Sequence, residues 1–144
     1  MDKTIIIETL KKFLYPIGNE SDFTDNDANI LNDYLHIIDK ETFYQEIDSL
    51  IPPLSLINEN TTHKEFLMYE AYFRLKFFHI NIQLQKHMDE ASCKYKANTP
   101  VDALELVKDY RENRDLLREY DLIEIAYNNY RDIYNGIKLI NKGK

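Results

Sequence analysis

Arg74 and His79 are the two side chains whose types and spacing best suit phosphate chemistry. A guanidinium group can hold a phosphate through paired hydrogen bonds, and an imidazole can exchange a proton near neutral pH. Together they could cleave a phosphodiester by acid–base transfer. Five positions along a helix, however, turn the two side chains about 140° apart. We therefore expect Arg74 to lean inward and His79 to lie on the polar face, which makes catalysis an alternative hypothesis.

The six residues from Arg74 to His79 resemble the loose signature of HEPN-type helical ribonucleases, an arginine and a histidine separated by a short spacer. The resemblance implies a metal-independent ribonuclease that acts as a dimer, with Arg74 orienting phosphate and His79 transferring protons. Leu75 stands where that family often has a polar residue, so only part of the signature is present.

Polar residues interrupt the apolar arc of the helix predicted over residues 62–96. Glu70, Arg74 and Asn81 fall between two apolar stripes, and Glu70 is four residues from Arg74, so these two can pair. Buried charges are costly unless they are paired and hydrogen-bonded. The strip is therefore either a structural polar network, which we favour, or the floor of a cleft.

Metal and cofactor sites are not predicted. His36 with Asp39, and His87 with Glu90, have ligand-like spacing, but the paired Glu-x-x-His motifs of di-iron bundles are absent. The chain has only three glycines and no phosphate-binding glycine motif. Cys93, the only cysteine, has no assignable histidine–acid partner.

The last predicted helix carries two sets of residues that suit partner binding. The guanidinium groups could contact an anionic group, although interleaved carboxylates can neutralise them. The tyrosines could lie at an interface or pack in the core. The predicted partner-binding residues are Arg111, Arg114, Arg118, Tyr127, Tyr130 and Tyr134.

Composition limits the class of partner. The 144-residue chain has a formal net charge of −7, which disfavours nucleic acid and anionic membranes and favours a basic partner. The lone cysteine fits a reducing compartment. Neither a signal peptide nor an apolar run long enough to span a membrane is recognisable. We expect one helical domain over residues 1–144, soluble and cytoplasmic.

Hydrophobic periodicity predicts an all-α bundle of about five helices that ends in a long antiparallel hairpin. The first helix covers residues 3–14, and Asp39 is the predicted N-cap of the third. Thr62 and Glu65 form a capping box at the start of the central helix, which should be covered on two sides. Thr99 and Asp102 predict a second box before the last helix. The apolar face of that helix shifts near residues 116–119, so either one long helix meets different neighbours along its length or the helix bends or breaks there; we favour one helix.

These features favour a non-catalytic, acidic protein that binds another protein, in an inhibitor, immunity or adaptor role. The first alternative is the HEPN-like ribonuclease that uses Arg74 and His79. The second is a nucleic-acid-binding module that uses Arg111, Arg114 and Arg118. Whether the chain forms a homodimer is left open by the sequence.

Overall fold

The computed structural model describes residues 2–15, 23–96 and 103–143, with the side chains of 91–96 and 103–110 left out. Within these ranges the chain forms five α-helices and no strand, which confirms the predicted all-α class. A short 3-10 helix at Leu54–Leu56 precedes the fourth helix. The helices are α1 (Lys3–Leu14), α2 (Asp25–Ile37), α3 (Lys40–Leu50), α4 (His63–Lys96) and α5 (Ala103–Lys142).

Side-chain caps define where the described helices begin. Asp39 accepts a hydrogen bond from the backbone of Thr42, which confirms it as the N-cap of α3. At the start of α4, Thr62 Oγ1 accepts from the Glu65 backbone at 3.2 Å, and Glu65 Oε1 accepts from the Thr62 backbone at 3.2 Å. This reciprocal pair is the predicted capping box. The box predicted at Thr99 and Asp102 lies outside the described residues.

The two long helices pack along a seven-residue repeat, which we call the seam. On α5 the apolar contacts alternate three and four residues apart, and they meet α4 in reverse order along the chain. The ring centroids of Phe66 and Tyr134 are 4.7 Å apart, and those of Phe77 and Tyr120 are 5.5 Å apart. Residues seven apart drift about 20° around an α-helix. Such a drift moves the apolar face of α5 gradually along its length, and α5 remains one helix across residues 116–119.

The three shorter helices cover one part of α4. The core between them contains large apolar side chains from α1, α2, α3 and α4, including Leu10, Leu14, Leu35, Phe43, Ile47 and Leu75. Leu54 and Ile57 pack against this core as partly buried residues, so the segment after α3 lies on the bundle. None of the described helices is both long and apolar enough to cross a membrane.

The cover that the sequence predicts on two sides of α4 ends near Ile80. Buried side chains occur on α4 as far as Ile80, and none of residues 81–90 is buried. The reason is length: at 1.5 Å per residue, α1 and α2 are each roughly 20 Å long, whereas α4 is roughly 50 Å long. Met88, which lies beyond the covered part, is consequently exposed.

Replacing Phe73 with alanine should destabilise the protein by about 3–5 kcal/mol, because Phe73 is 1% exposed and its removal leaves a cavity. Phe78→Ala is the matched control, since Phe78 lies on the same helix but is 42% exposed, and it should cost about 1 kcal/mol or less. Urea unfolding followed by circular dichroism measures both. Equal losses would contradict the packing described for α4.

Candidate functional site

Arg74 and His79 lie on different sides of α4, and their expected orientations are reversed. His79 is only 2% exposed, whereas Arg74 is exposed. The imidazole stacks on the Phe43 ring with centroids 4.7 Å apart. A neutral imidazole can be buried once its N–H is hydrogen-bonded, but a guanidinium is always charged and stays in water. In this structure the two side chains therefore do not share a site.

The hydrogen bond of His79 fixes its protonation. Its Nε2 is 3.0 Å from the backbone oxygen of Ile38. A carbonyl oxygen can only accept, so Nε2 carries the proton and Nδ1 keeps a free lone pair. Burial lowers the pKa of His79, while the bond to Ile38 partly opposes that shift. The imidazole is therefore neutral at physiological pH.

Nδ1 of His79 is open to a cavity. Nδ1 makes no hydrogen bond to the described residues. Every fully buried side-chain nitrogen and oxygen among those residues has a hydrogen-bond partner, so Nδ1 is not fully buried. His79 lines a cavity of about 550 Å³ between the start of α3, the middle of α4 and the first half of α5.

The cavity is predominantly acidic, and we call it the acidic pocket. Five carboxylates line it against two lysines, Lys40 and Lys86. The carboxylates come from α3's cap, α4 and α5: Asp39, Glu90, Glu112, Asp115 and Glu119. Such a surplus of one sign in a partly enclosed space attracts groups of the opposite charge.

Both lysines already have a polar partner within the chain. Lys40 Nζ is 3.4 Å from Glu119 Oε2, and the Tyr44 hydroxyl donates to Glu119 Oε1 at 2.9 Å. Lys86 donates to the backbone oxygen of His36. Glu90 and Asp115 are exposed and make no ion pair with the described residues. Their charges are therefore available to a ligand.

The two histidines with ligand-like spacing, His36 and His87, have polar partners. His36 Nδ1 lies 2.7 Å from the backbone oxygen of Asn32, and His87 Nδ1 lies 3.7 Å from Glu112 Oε2. Within the described part of the chain, no three His, Cys, Asp or Glu side chains are grouped as metal ligands would be.

The three residues of the predicted polar strip, Glu70, Arg74 and Asn81, lie in three different environments. Glu70 enters the seam, where Oε1 accepts from Arg131 at 2.7 Å and Oε2 accepts from the Tyr127 hydroxyl at 2.8 Å. Arg74, the partner expected from helical spacing, faces solvent instead. Asn81 lies at the rim of a separate apolar groove of about 820 Å³ between α1, α2 and α4. The three residues therefore form neither a shared network nor a cleft floor.

The predicted tyrosine row faces α4 rather than solvent. Tyr130 is buried and donates to the Phe66 backbone oxygen at 2.9 Å, so a partner cannot reach it in this structure. Tyr127 and Tyr134 are half-buried, the first bonded to Glu70 and the second packed edge-on against Phe66. These residues hold α4 and α5 together.

The three arginines predicted to bind a partner are accessible in the structure. Arg111, Arg114 and Arg118 are all exposed on α5. Asp115, which the sequence places between Arg114 and Arg118, lines the acidic pocket. Sequence reasoning missed the pocket because its carboxylates come from separate helices and each was interpreted as part of a solvated surface.

Comparisons of the chain with protein-family models, curated proteins and solved structures found no match.

Stability should fall as the pH drops below about 6.5, and His79 should account for part of that fall. Because the folded state holds the pKa of His79 below that of the unfolded chain, the unfolded chain takes up the proton first. His79→Gln keeps an N–H donor but cannot titrate, so its unfolding free energy should vary less between pH 7.5 and 5.5.

Urea unfolding at both pH values measures the effect. The matched control is His63→Gln, which removes an exposed histidine on the same helix. An unchanged pH dependence in His79→Gln would refute the buried, neutral assignment.

Proposed function

We propose that this protein is a non-catalytic binding protein whose acidic pocket receives a basic side chain of a protein partner. One observation carries the proposal: a buried neutral imidazole presents a free acceptor to a cavity in which carboxylates outnumber lysines five to two. The basic partner is the kind of protein that an inhibitor, immunity or adaptor protein of this charge could bind.

The chemistry of the pocket selects hydrogen-bond donors. Arginine and lysine side chains carry only donors, and the pocket offers carboxylate oxygens and Nδ1 of His79, which only accept. Charge-assisted hydrogen bonds to carboxylates are about twice as strong as neutral ones. Arginine suits the pocket better than lysine, because its planar guanidinium can bond to several acceptors at once.

The charge of the whole chain supports the same class of partner. A net charge of −7 attracts a basic protein over a distance and speeds its association. The two alternative functions gain no comparable support. Arg74 and His79 do not meet, and Arg111, Arg114 and Arg118 belong to a chain whose overall charge repels nucleic acid.

A defined basic probe tests the proposal. An oligoarginine peptide should bind the wild type, and replacing Glu90 with Gln together with Asp115 with Asn should weaken binding about tenfold, the loss of about 1.4 kcal/mol. Both residues are exposed, so their replacement should leave the fold intact. Fluorescence anisotropy at physiological salt measures the affinity.

The control removes the same charge elsewhere. Glu8→Gln with Asp33→Asn changes two exposed carboxylates outside the pocket and should alter binding less than twofold. Equal weakening by both pairs would show that only net charge matters. A citrulline peptide, which keeps the shape of arginine without its charge, should not bind.

A further inference from the structure

Glu119 is the most enclosed carboxylate of the acidic pocket. Its side chain is 19% exposed, whereas the other four carboxylates of the pocket belong to exposed residues. Oε1 of Glu119 accepts from the Tyr44 hydroxyl at 2.9 Å, and Oε2 lies 3.4 Å from Lys40 Nζ. Opposite charges attract each other more strongly where less water surrounds them. Glu119 is therefore the carboxylate of this pocket that should bind a basic group most strongly.

Tyr44 holds Glu119 in place without help from Lys40. The Tyr44 ring is half-buried, its centroid is 5.8 Å from that of Phe43, and Lys76 Nζ lies 4.5 Å from it. These contacts fix the tyrosine ring, and its hydroxyl in turn fixes Oε1 of Glu119. If Lys40 turned away, the carboxylate would keep this bond and would present Oε2 as a free acceptor.

Lys40 is held only weakly at Glu119. Its side chain is 49% exposed, and its ammonium makes no other hydrogen bond with the described residues. Exposed ion pairs contribute little to stability, because water already solvates both charges well. Lys40 is also the first residue of α3, and a positive charge is unfavourable at the start of a helix. Lys40 can therefore leave Glu119 at little cost.

We propose that Glu119 is the anchor for the basic side chain of the partner, and that Lys40 occupies this anchor in the free protein as an internal ligand. The inference rests on the proposed function of the acidic pocket, and it names the contact that changes on binding. The cation of the partner takes Oε2 of Glu119, and Lys40 turns into solvent. One cation replaces another, so the enclosed carboxylate is paired both before and after binding, and leaving such a charge unpaired would be costly.

Removing the internal ligand should strengthen binding. Lys40→Met keeps an unbranched side chain without the charge, and it should bind an oligoarginine peptide about fivefold more tightly than the wild type, because no ion pair has to be broken first. Fluorescence anisotropy at physiological salt measures the affinity. The matched control is Lys86→Met, which removes the same charge from the wall of the same pocket. Lys86 bonds to a backbone oxygen and forms no ion pair with the described residues, so this change should strengthen binding about twofold or less.

A double-mutant cycle tests whether the gain depends on Glu119. Glu119→Gln keeps an oxygen that can accept from Tyr44, but it removes the charge that Lys40 and the peptide compete for. In this background Lys40→Met should change the affinity about twofold or less, and the difference from the wild-type background measures the coupling between the two residues. Glu119→Gln alone should bind the peptide less tightly than the wild type. Circular dichroism confirms that each variant is folded.

The outcomes separate this inference from the function on which it rests. If the wild type binds the peptide but Lys40→Met gains no more than Lys86→Met, the internal ligand is refuted and the acidic pocket remains a binding site. A fivefold gain that persists in Glu119→Gln would also refute it, because the gain would then come from charge alone. If neither the wild type nor Lys40→Met binds the peptide, both proposals are overturned.

Discussion

The seam between α4 and α5 is the contact on which the rest of the structure depends. Its centre holds a charge: Glu70 bonds to both Tyr127 and Arg131 across the seam. Sliding α5 by one heptad in one direction would bring Glu124 to the place of Arg131 and set two carboxylates against each other, whereas the opposite slide would bring Lys138 and Tyr134 beside Glu70. Polar groups at a helix contact can exclude registers that the apolar repeat alone would allow, and this group excludes the first of the two slides. The register in turn places Asp115 and Glu119 beside His79.

Features encoded locally were predictable from sequence, and features that depend on distant contacts were not. The caps at Asp39 and Thr62 are bonds over three residues, so spacing alone identifies them. The burial of His79 depends on the Ile38 carbonyl, one of the groups that the end of α2 cannot bond internally. The apolar arc of α4 covers so much of its circumference that a helical wheel could not decide whether Arg74 or His79 faces inward.

The acidic pocket could not be predicted from the sequence for the same reason, because it depends on contacts between distant segments. Glu119 alternates with arginines along α5, and this pattern is typical of a solvated, salt-bridged helix. In the structure it turns toward α3, where Tyr44 and Lys40 bind it, and so becomes part of a shared wall. Acidic residues on one helix predict only a charged surface. Their convergence around a buried acceptor requires the packing of three segments that are far apart in the sequence.

One helix thus serves two surroundings without conflict. The seam takes one face of α5, and residues 112–119 of the same helix line the acidic pocket. Tyr127 bonds to Glu70 in the seam, and two turns earlier Glu119 bonds to Tyr44 and Lys40 of α3. Because α5 is one continuous helix, the contacts that set its position against α4 also set where the carboxylates of the pocket lie.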